Sequence, residues 1–480
     1  MGGREVQSIV NNTSNAAASS LSMVTHAIVQ SMARFRLVSV EGVIMENSRR
    51  RFLKQMSATT LAAASTSTAM ADSPSDRIRV GVIGPGGMGM NHVKNLAART
   101  DIQIVAVCDV DKNRLETAAS HVASETGKRP MATGDLRTLL DDSSIDAVFI
   151  ATPDHWHAPA AILALDAGKH VYVEKPCSHN VREGRLMADA VKRSGKVLQV
   201  GTQSRSTECV ADGINRVLNG EIGDVLVAKA WNSQRRGSIG HSEPTEPPAH
   251  LDFDSWVGPA PMVPYRKNLL PGVWRWWYNF GCGDIGNDGV HDIDVALWGL
   301  GVSAHPDRVA CFGGKYFFDD DQQFSDTQYA QFEYSPNGSA GERKQLIFEQ
   351  RIWTRYTQDG YENGAAFYGT KGMLIMGHTV GWRLYGERNK LIAERTGRAD
   401  LVAHHTNFFD SIRGKATPNA RIEVGHRAAT IVHLANIAAR TGRSLNFDRL
   451  KEQITGDEEA NRMLRREYRS HWGTPQDRSV

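Results

Sequence analysis

Arg77-Ile78-Arg79-Val80-Gly81-Val82-Ile83-Gly84-Pro85-Gly86-Gly87-Met88-Gly89 is the stretch that decides the fold. Its first seven residues carry the β-branched alternation of a strand. Gly84-x-Gly86-x-x-Gly89 follows at once, and a helix is expected over residues 91–99. Phosphate binding needs this order. Glycines let the backbone approach a pyrophosphate, which then rests on the N-terminus of the helix. Alone, GxGxxG is a weak signal. Between a strand and a helix it reads as a dinucleotide-binding turn made by Gly84, Gly86, Gly87, Met88 and Gly89.

Outward from the turn, strands and helices alternate. A strand over 102–108 ends in Asp109, about twenty residues past the turn, where a carboxylate can accept from the adenosine ribose hydroxyls. The same carboxylate repels a 2′-phosphate, so NAD is expected over NADP, although Lys112 and Arg114 stand nearby. The competing reading of Asp109 is a helix N-cap. The next apolar run, 146–151, ends in Thr152-Pro153-Asp154-His155-Trp156-His157. Here His157 either meets cofactor or substrate or caps the following helix. Then come a helix (159–167), the run Lys169-His170-Val171-Tyr172-Val173 with Glu174-Lys175-Pro176 at its end, a helix (181–194), and a strand over 197–200 leading to Gln203. Such alternation gives a doubly wound parallel sheet, whose ligands bind beyond the C-terminal strand ends. Thr152, Pro153, His157, Glu174, Lys175 and Gln203 are therefore expected at the cofactor, and the Lys175 ammonium can reach a ribose or substrate hydroxyl.

At 480 residues the chain is long enough for two or three units. Hydrophobic content of 41% and charge of 23% fit a globular protein, and a net charge of +3 with scattered basic residues argues against nucleic acid. Cys108, Cys177, Cys209, Cys282 and Cys311 form no CxxC pair and are odd in number, which argues against a disulfide framework or a zinc site. The neighbours His404 and His405 have no acidic partner at metal-like spacing, so no metal is expected.

Beyond residue 200, strands are expected over 328–334, 344–348 and 373–376, and helices over 404–413 and 426–441. Trp231, Trp256, Trp274, Trp276, Trp277 and Trp298 lead into and enter the block Gly286-Asn287-Asp288-Gly289-Val290-His291-Asp292-Ile293-Asp294. They read either as a platform for sugar C–H faces or as packing. Arg235, Arg236 and His241 sit in a loop over 233–250 that covers the site, binds an anionic sugar, or is only solvated. On a helix, Asn287 and His291 share a face, with Asp294 one turn beyond, which aims an amide, an imidazole and a carboxylate into one cleft.

The turn, the Thr152-Pro153…His157 segment, Glu174-Lys175-Pro176 and this late block together resemble the Gfo/Idh/MocA oxidoreductases, over about four-fifths of the chain. The resemblance implies an NAD(P)-binding Rossmann domain (77–200). It also implies a C-terminal α/β domain (201–445) with an open, mostly antiparallel sheet often used for oligomerisation, and then a tail (446–480). It further implies a carbohydrate substrate, with His291 as general acid/base and Lys175 assisting. Asp294 would orient the imidazole or hold a sugar hydroxyl. Asn287 departs from the family, where many members carry aspartate. An amide cannot take the substrate's proton, so Asn287 can only orient it.

Ser48-Arg49-Arg50-Arg51-Phe52-Leu53-Lys54, the mildly apolar stretch 56–64 and Ala69-Met70-Ala71 resemble a twin-arginine export signal over 45–71. The stretch is too short to span a membrane. Residues 1–44 read as an upstream extension. Export would place the enzyme in the periplasm or another extracytoplasmic space; an unused signal leaves it in the cytoplasm. Free NAD is scarce outside the cytoplasm, so a tightly held, internally recycled cofactor is expected there. Three functions follow: a dehydrogenase acting on a sugar, polyol or glycoside CH–OH; a redox-neutral, NAD-dependent glycoside-cleaving enzyme; and a non-catalytic sugar-binding protein, which the presence of both Lys175 and His291 disfavours.

Overall fold

Each β-branched run of the first half becomes a buried strand. The structure, a computed structural model, describes residues 77–335, 339 and 341–469. The extension 1–44 and the signal-like segment 45–71 lie outside the described residues. Six strands and five helices follow in turn: β1 (Ile78–Ile83), α1 (Gly87–Ala97), β2 (Ile102–Cys108), α2 (Lys112–Thr126), β3 (Met131–Thr133), α3 (Leu136–Asp141), β4 (Ala147–Ile150), α4 (Asp154–Asp166), β5 (His170–Val173), α5 (Val181–Ser194) and β6 (Leu198–Val200). The strands are parallel in the order β3-β2-β1-β4-β5-β6. The order reverses between β1 and β4. A crevice opens there above Gly84 and Ala151, at the topological switch point where ligands bind such sheets.

After α6 (Glu208–Leu218) the chain builds a second sheet of ten strands. These are β7 (Val225–Asn232), β8 (Arg308–Gly314), β9 (Thr327–Tyr334), β10 (Lys344–Arg351), β11 (Asn363–Gly369), β12 (Met373–Gly377), β13 (Gly381–Tyr385), β14 (Leu391–Thr396), β15 (Leu445–Asp448) and β16 (Gln453–Thr455). They lie in the order β14-β13-β12-β11-β7-β10-β9-β8-β15-β16, antiparallel apart from the β7–β10 pair. Between β7 and β8 come α7 (Phe253–Val257) and α8 (Val290–Leu300); after β14 come α9 (Leu401–Ile412) and α10 (Ile422–Thr441), and after β16 comes α11 (Glu458–Arg462). One face of the sheet packs under α8 and α10. On β8, β9 and β11 the alternation turns Phe312, Tyr329 and Tyr368 outward, and Phe312 stands directly opposite Tyr329.

Two expectations change here. The reading of 446–480 as a tail is corrected for residues up to 469. β15 and β16 extend the sheet, and Phe447, Ile454 and Leu464 are buried. Strands of four and three residues with polar ends leave too little alternation to read. In addition, α9, inside the stretch assigned to the second domain, packs on the first. Its Phe408 and Phe409 join the core beneath Phe149 and Tyr172, and Arg413 pairs with Asp101 at 2.9 Å. Phe408→Ala is expected to cost about 3 kcal/mol or more, from lost burial plus a cavity. Denaturant unfolding checks this, and a loss below about 1 kcal/mol means the site collapses without penalty.

Candidate functional site

The glycine turn is closed by sterics. Gly84 has φ +78°, and a Cβ there would meet the Thr152 nitrogen at 2.8 Å. A Cβ on Gly89 would stand 2.1 Å from the Gly84 carbonyl oxygen. The N-cap of α1 is Gly86, with no capping side chain, whereas Asp111 caps α2 and Asn180 caps α5. Backbone N–H groups at the start of α1 therefore face the crevice, the arrangement a pyrophosphate needs. Gly89→Ala should weaken dinucleotide binding at least about tenfold by prising the turn from the helix, readable by fluorescence titration.

Two cavities meet along this crevice. One, of about 360 Å³, is lined by Gly84, Asp109, Trp156 and Trp256. The other, of about 300 Å³, is lined by Gly86, Gly87, Met88, Glu174, Lys175 and Asn287. Arg114, Thr152 and Pro153 border both. Asp109 is not the N-cap of α2. Its Oδ1 accepts from the Asp111 N–H at 2.9 Å, and Asp111 does the capping. Burial pushes the Asp109 carboxyl up to about 6. The residues fit a dinucleotide: a steric cradle for phosphates, a carboxylate at the ribose distance along the chain, and indoles beside it.

At the end of β5, Lys175 Nζ donates to the Asn287 carbonyl oxygen at 2.7 Å, which ties the first domain to the late block. Glu174 turns inward instead. Its carboxylate meets His92 Nε2 at 3.0 Å and accepts from Gln203 Nε2 at 3.2 Å; His92 in turn meets His405 at 2.9 Å. Gln203, expected at the cofactor, is thus tied to Glu174 and to the Tyr172 hydroxyl. His157 borders the cavity but lies within α4. Its ring nitrogens face the carbonyl oxygens of Pro176 (2.7 Å) and Thr152 (2.8 Å). It neither caps the helix nor presents a free nitrogen. It clips the ends of β4 and β5 together.

The late block departs from regular helix. Ile285–Gly289 is a π-helical turn that runs into α8. Such turns recur at functional sites because they displace side chains from helical register. Asn287 is fixed at both ends of its amide: Oδ1 accepts from Arg275 Nε at 2.9 Å, and Nδ2 donates to Asp284 at 3.2 Å. Arg236 from the 233–250 loop is bonded to both Asp284 and Asp288, so the loop docks on the block. His291 is 7% exposed, and its Nδ1 has no hydrogen-bond partner. Burial first, then Lys175 and His378, hold its pKa well below the ordinary imidazole value. Asp294 does not reach it. Both of its oxygens accept from Arg205, at 2.7 and 2.9 Å, beneath Trp298. The orienting role expected of Asp294 is therefore corrected. It falls one turn past His291, but Arg205, in the turn before α6, neutralises it.

Sequence reasoning passed over several residues here. Arg205 lies 89 residues from its carboxylate partner Asp294, and Arg275 lies 12 residues before Asn287. His378, in the β12–β13 turn, sets its ring perpendicular to His291 with centroids 5.1 Å apart. Its Nδ1 meets Asp292 Oδ1 at 3.0 Å. Of the tryptophans, Trp231, Trp256, Trp274 and Trp276 are buried, and Trp274 lies under the Arg275 guanidinium. Packing accounts for Trp231, whereas Trp256 and Trp274 also line the two cavities. Among the described residues, His305, His426 and Glu452 cluster within 4.8 Å, but the Arg185 guanidinium already holds the Glu452 carboxylate.

Comparison with known proteins bears on this geometry. The NAD-binding Rossmann model of the Gfo/Idh/MocA oxidoreductase family matches residues 78–202, and that family's C-terminal α/β domain model matches 222–310 and 366–474. A glycosyl hydrolase family 109 protein of Shewanella sp. (strain W3-18-1) is 33% identical over 161 residues, 32% of this chain and 35% of the relative. The chain thus spans about a third of the length of such relatives. A WlbA dehydrogenase from Bordetella pertussis, solved with NADH and UDP-GlcNAcA, superposes with a TM-score of 0.56 at 19% identity, over 78% of this chain and 99% of that one. An aldose-aldose oxidoreductase from Caulobacter crescentus, solved with glycerol, gives 0.59 at 17% identity, over 77% and 100%. At these identities the structures share the fold.

Proposed function

The chain belongs to the Gfo/Idh/MocA oxidoreductase family, and from that premise we propose that it oxidises a CH–OH group of a sugar, polyol or glycoside. One observation carries the reading. A single crevice runs from the Gly86–Met88 turn to Lys175 and Asn287. The nicotinamide, when bound, supplies hydride chemistry. The chain's own residues position the substrate and handle its proton. Lys175 Nζ, held by the Asn287 carbonyl, donates to the reacting hydroxyl. His291, kept neutral by burial, accepts the proton. Asn287, fixed by Arg275 and Asp284, orients a neighbouring hydroxyl.

NAD is favoured over NADP by Asp109. Asp109→Ser should weaken NAD more than NADP in equilibrium titrations; equal loss of both makes Asp109 structural. The outward Phe312, Tyr329 and Tyr368 support a homo-oligomer, dimer or tetramer, built on the open sheet face. Light scattering on the purified protein tests it. Among the described residues no helix is long and apolar enough to cross a membrane.

The second reading is redox-neutral glycoside cleavage on a tightly held cofactor. The relatives named glycosyl hydrolase family 109 favour it, as does the export-type sequence at 45–71. Denaturing the purified protein and assaying the supernatant for NAD(H) and NADP(H) separates the readings. Stoichiometric release supports internal recycling. An empty protein that binds NAD reversibly supports simple dehydrogenation, and one that binds no nicotinamide nucleotide overturns both.

A further inference from the structure

His378 is set beside His291 by strain and pairing. It opens the three-residue turn between β12 and β13, where Gly377 pairs with Gly381. The next residue, Thr379, has φ +60°, a conformation β-branched side chains rarely adopt. The His378 N–H donates to the Asn363 carbonyl at 3.0 Å. Its imidazole then meets Asp292, whose side chain is 3% exposed, through Nδ1 alone. In the neutral ring, above its raised pKa, a carboxylate on Nδ1 fixes the tautomer and leaves Nε2 as the working nitrogen, as in hydrolase triads. The His378 side chain is 32% exposed, while that of its partner Asp292 is buried. The charged and titratable groups acting on it are Asp292, Asp288 and Lys175, with the His291 ring against its own.

Resting on the redox-neutral reading above, we propose that Asp292 and His378 form a second proton-transfer unit, in which His378 Nε2 removes the proton from the substrate carbon next to the oxidised one. The balance closes with a single imidazole. Oxidation makes the hydroxyl carbon a ketone and acidifies the neighbouring C–H. His378 takes that proton, the C–H electron pair becomes a C=C bond, and the glycosidic C–O bond breaks. The imidazolium returns the proton to the departing oxygen. Water adds by the reverse path, and the hydride and proton first removed return to the ketone. Net, one water hydrolyses one glycosidic bond. Lys175 and His291 serve the oxidation; Asp292 positions His378.

The test uses the full chain with its bound cofactor and p-nitrophenyl glycosides in D₂O. Wild type should cleave and should exchange the adjacent C–H for deuterium. His378→Ala and His378→Gln should each lose cleavage and exchange at least about a hundredfold, while the absorbance rise at 340 nm that reports the first oxidation survives. Independently of turnover, the His378 imidazole NMR signals should titrate at lower pH in Asp292→Asn than in wild type. Cleavage that survives in both His378 variants overturns the assignment alone. Wild-type reduction of NAD with neither exchange nor cleavage overturns the redox-neutral reading with it. Loss of the 340 nm signal in both variants also overturns the assignment, by placing His378 in the oxidation step.

Discussion

Lys175→Ala is expected to lower turnover by about 10³-fold or more while the protein folds and still binds NAD. The effect is large because the ammonium has one position and no substitute. Its Nζ is fixed at 2.7 Å from the Asn287 carbonyl, at the end of a strand whose clip is His157. Folding should survive because Lys175 is only half-buried, and the ties around it (Glu174 to His92, His157 to two carbonyls) do not use its side chain. Lys175→Met keeps the stem and removes the charge, so it separates packing from chemistry. Stopped-flow absorbance at 340 nm gives the rate, a NAD titration gives binding, and a melting curve gives fold. Activity within tenfold of wild type in both variants removes Lys175 from the chemistry.

The same residue shows why part of the site was legible in the sequence. Glu174-Lys175-Pro176 and the glycine turn are local, set by strand-to-turn geometry within a few residues. The doubly wound sheet followed from them because alternating strands and helices admit few topologies. The second sheet was harder to read. Its strands pair across long separations, and the short β15 and β16 carry almost no alternation. Around His291 the decisive neighbours are remote. Asp292 and His378 are 86 residues apart, and Arg205 and Asp294 are 89 apart. No local pattern announces either pair. The π-helical turn is equally silent, since Gly286-Asn287-Asp288-Gly289 reads as ordinary helix start. Asp294 shows the cost: three residues past His291, it was expected to orient the imidazole or hold a sugar hydroxyl, yet Arg205 already claims both of its oxygens.

His291→Ala should lower turnover by about 10²–10⁴-fold, and the pH profile of the wild type should show how the imidazole is used. A general base works only when deprotonated, so its rate falls as pH drops through its pKa. Burial, with Lys175 and His378 adding to it, holds the His291 pKa well below 6.5. The acid limb of kcat is therefore expected well below pH 6.5, where a free imidazole would already have lost half its activity. His378 shifts the other way. Burial opposes its charge, but the carboxylates of Asp292 and Asp288 together outweigh that and raise its pKa above 6.5. Removing one positive neighbour should relieve His291, so in His378→Ala the acid limb moves up towards 6.5, read on the oxidation step at 340 nm. An acid limb that stays put in His378→Ala would mean that the two rings, though 5.1 Å apart, do not sense each other's charge. An acid limb at 6.5 in the wild type would mean that His291 is solvated during turnover and that the proton leaves by another route.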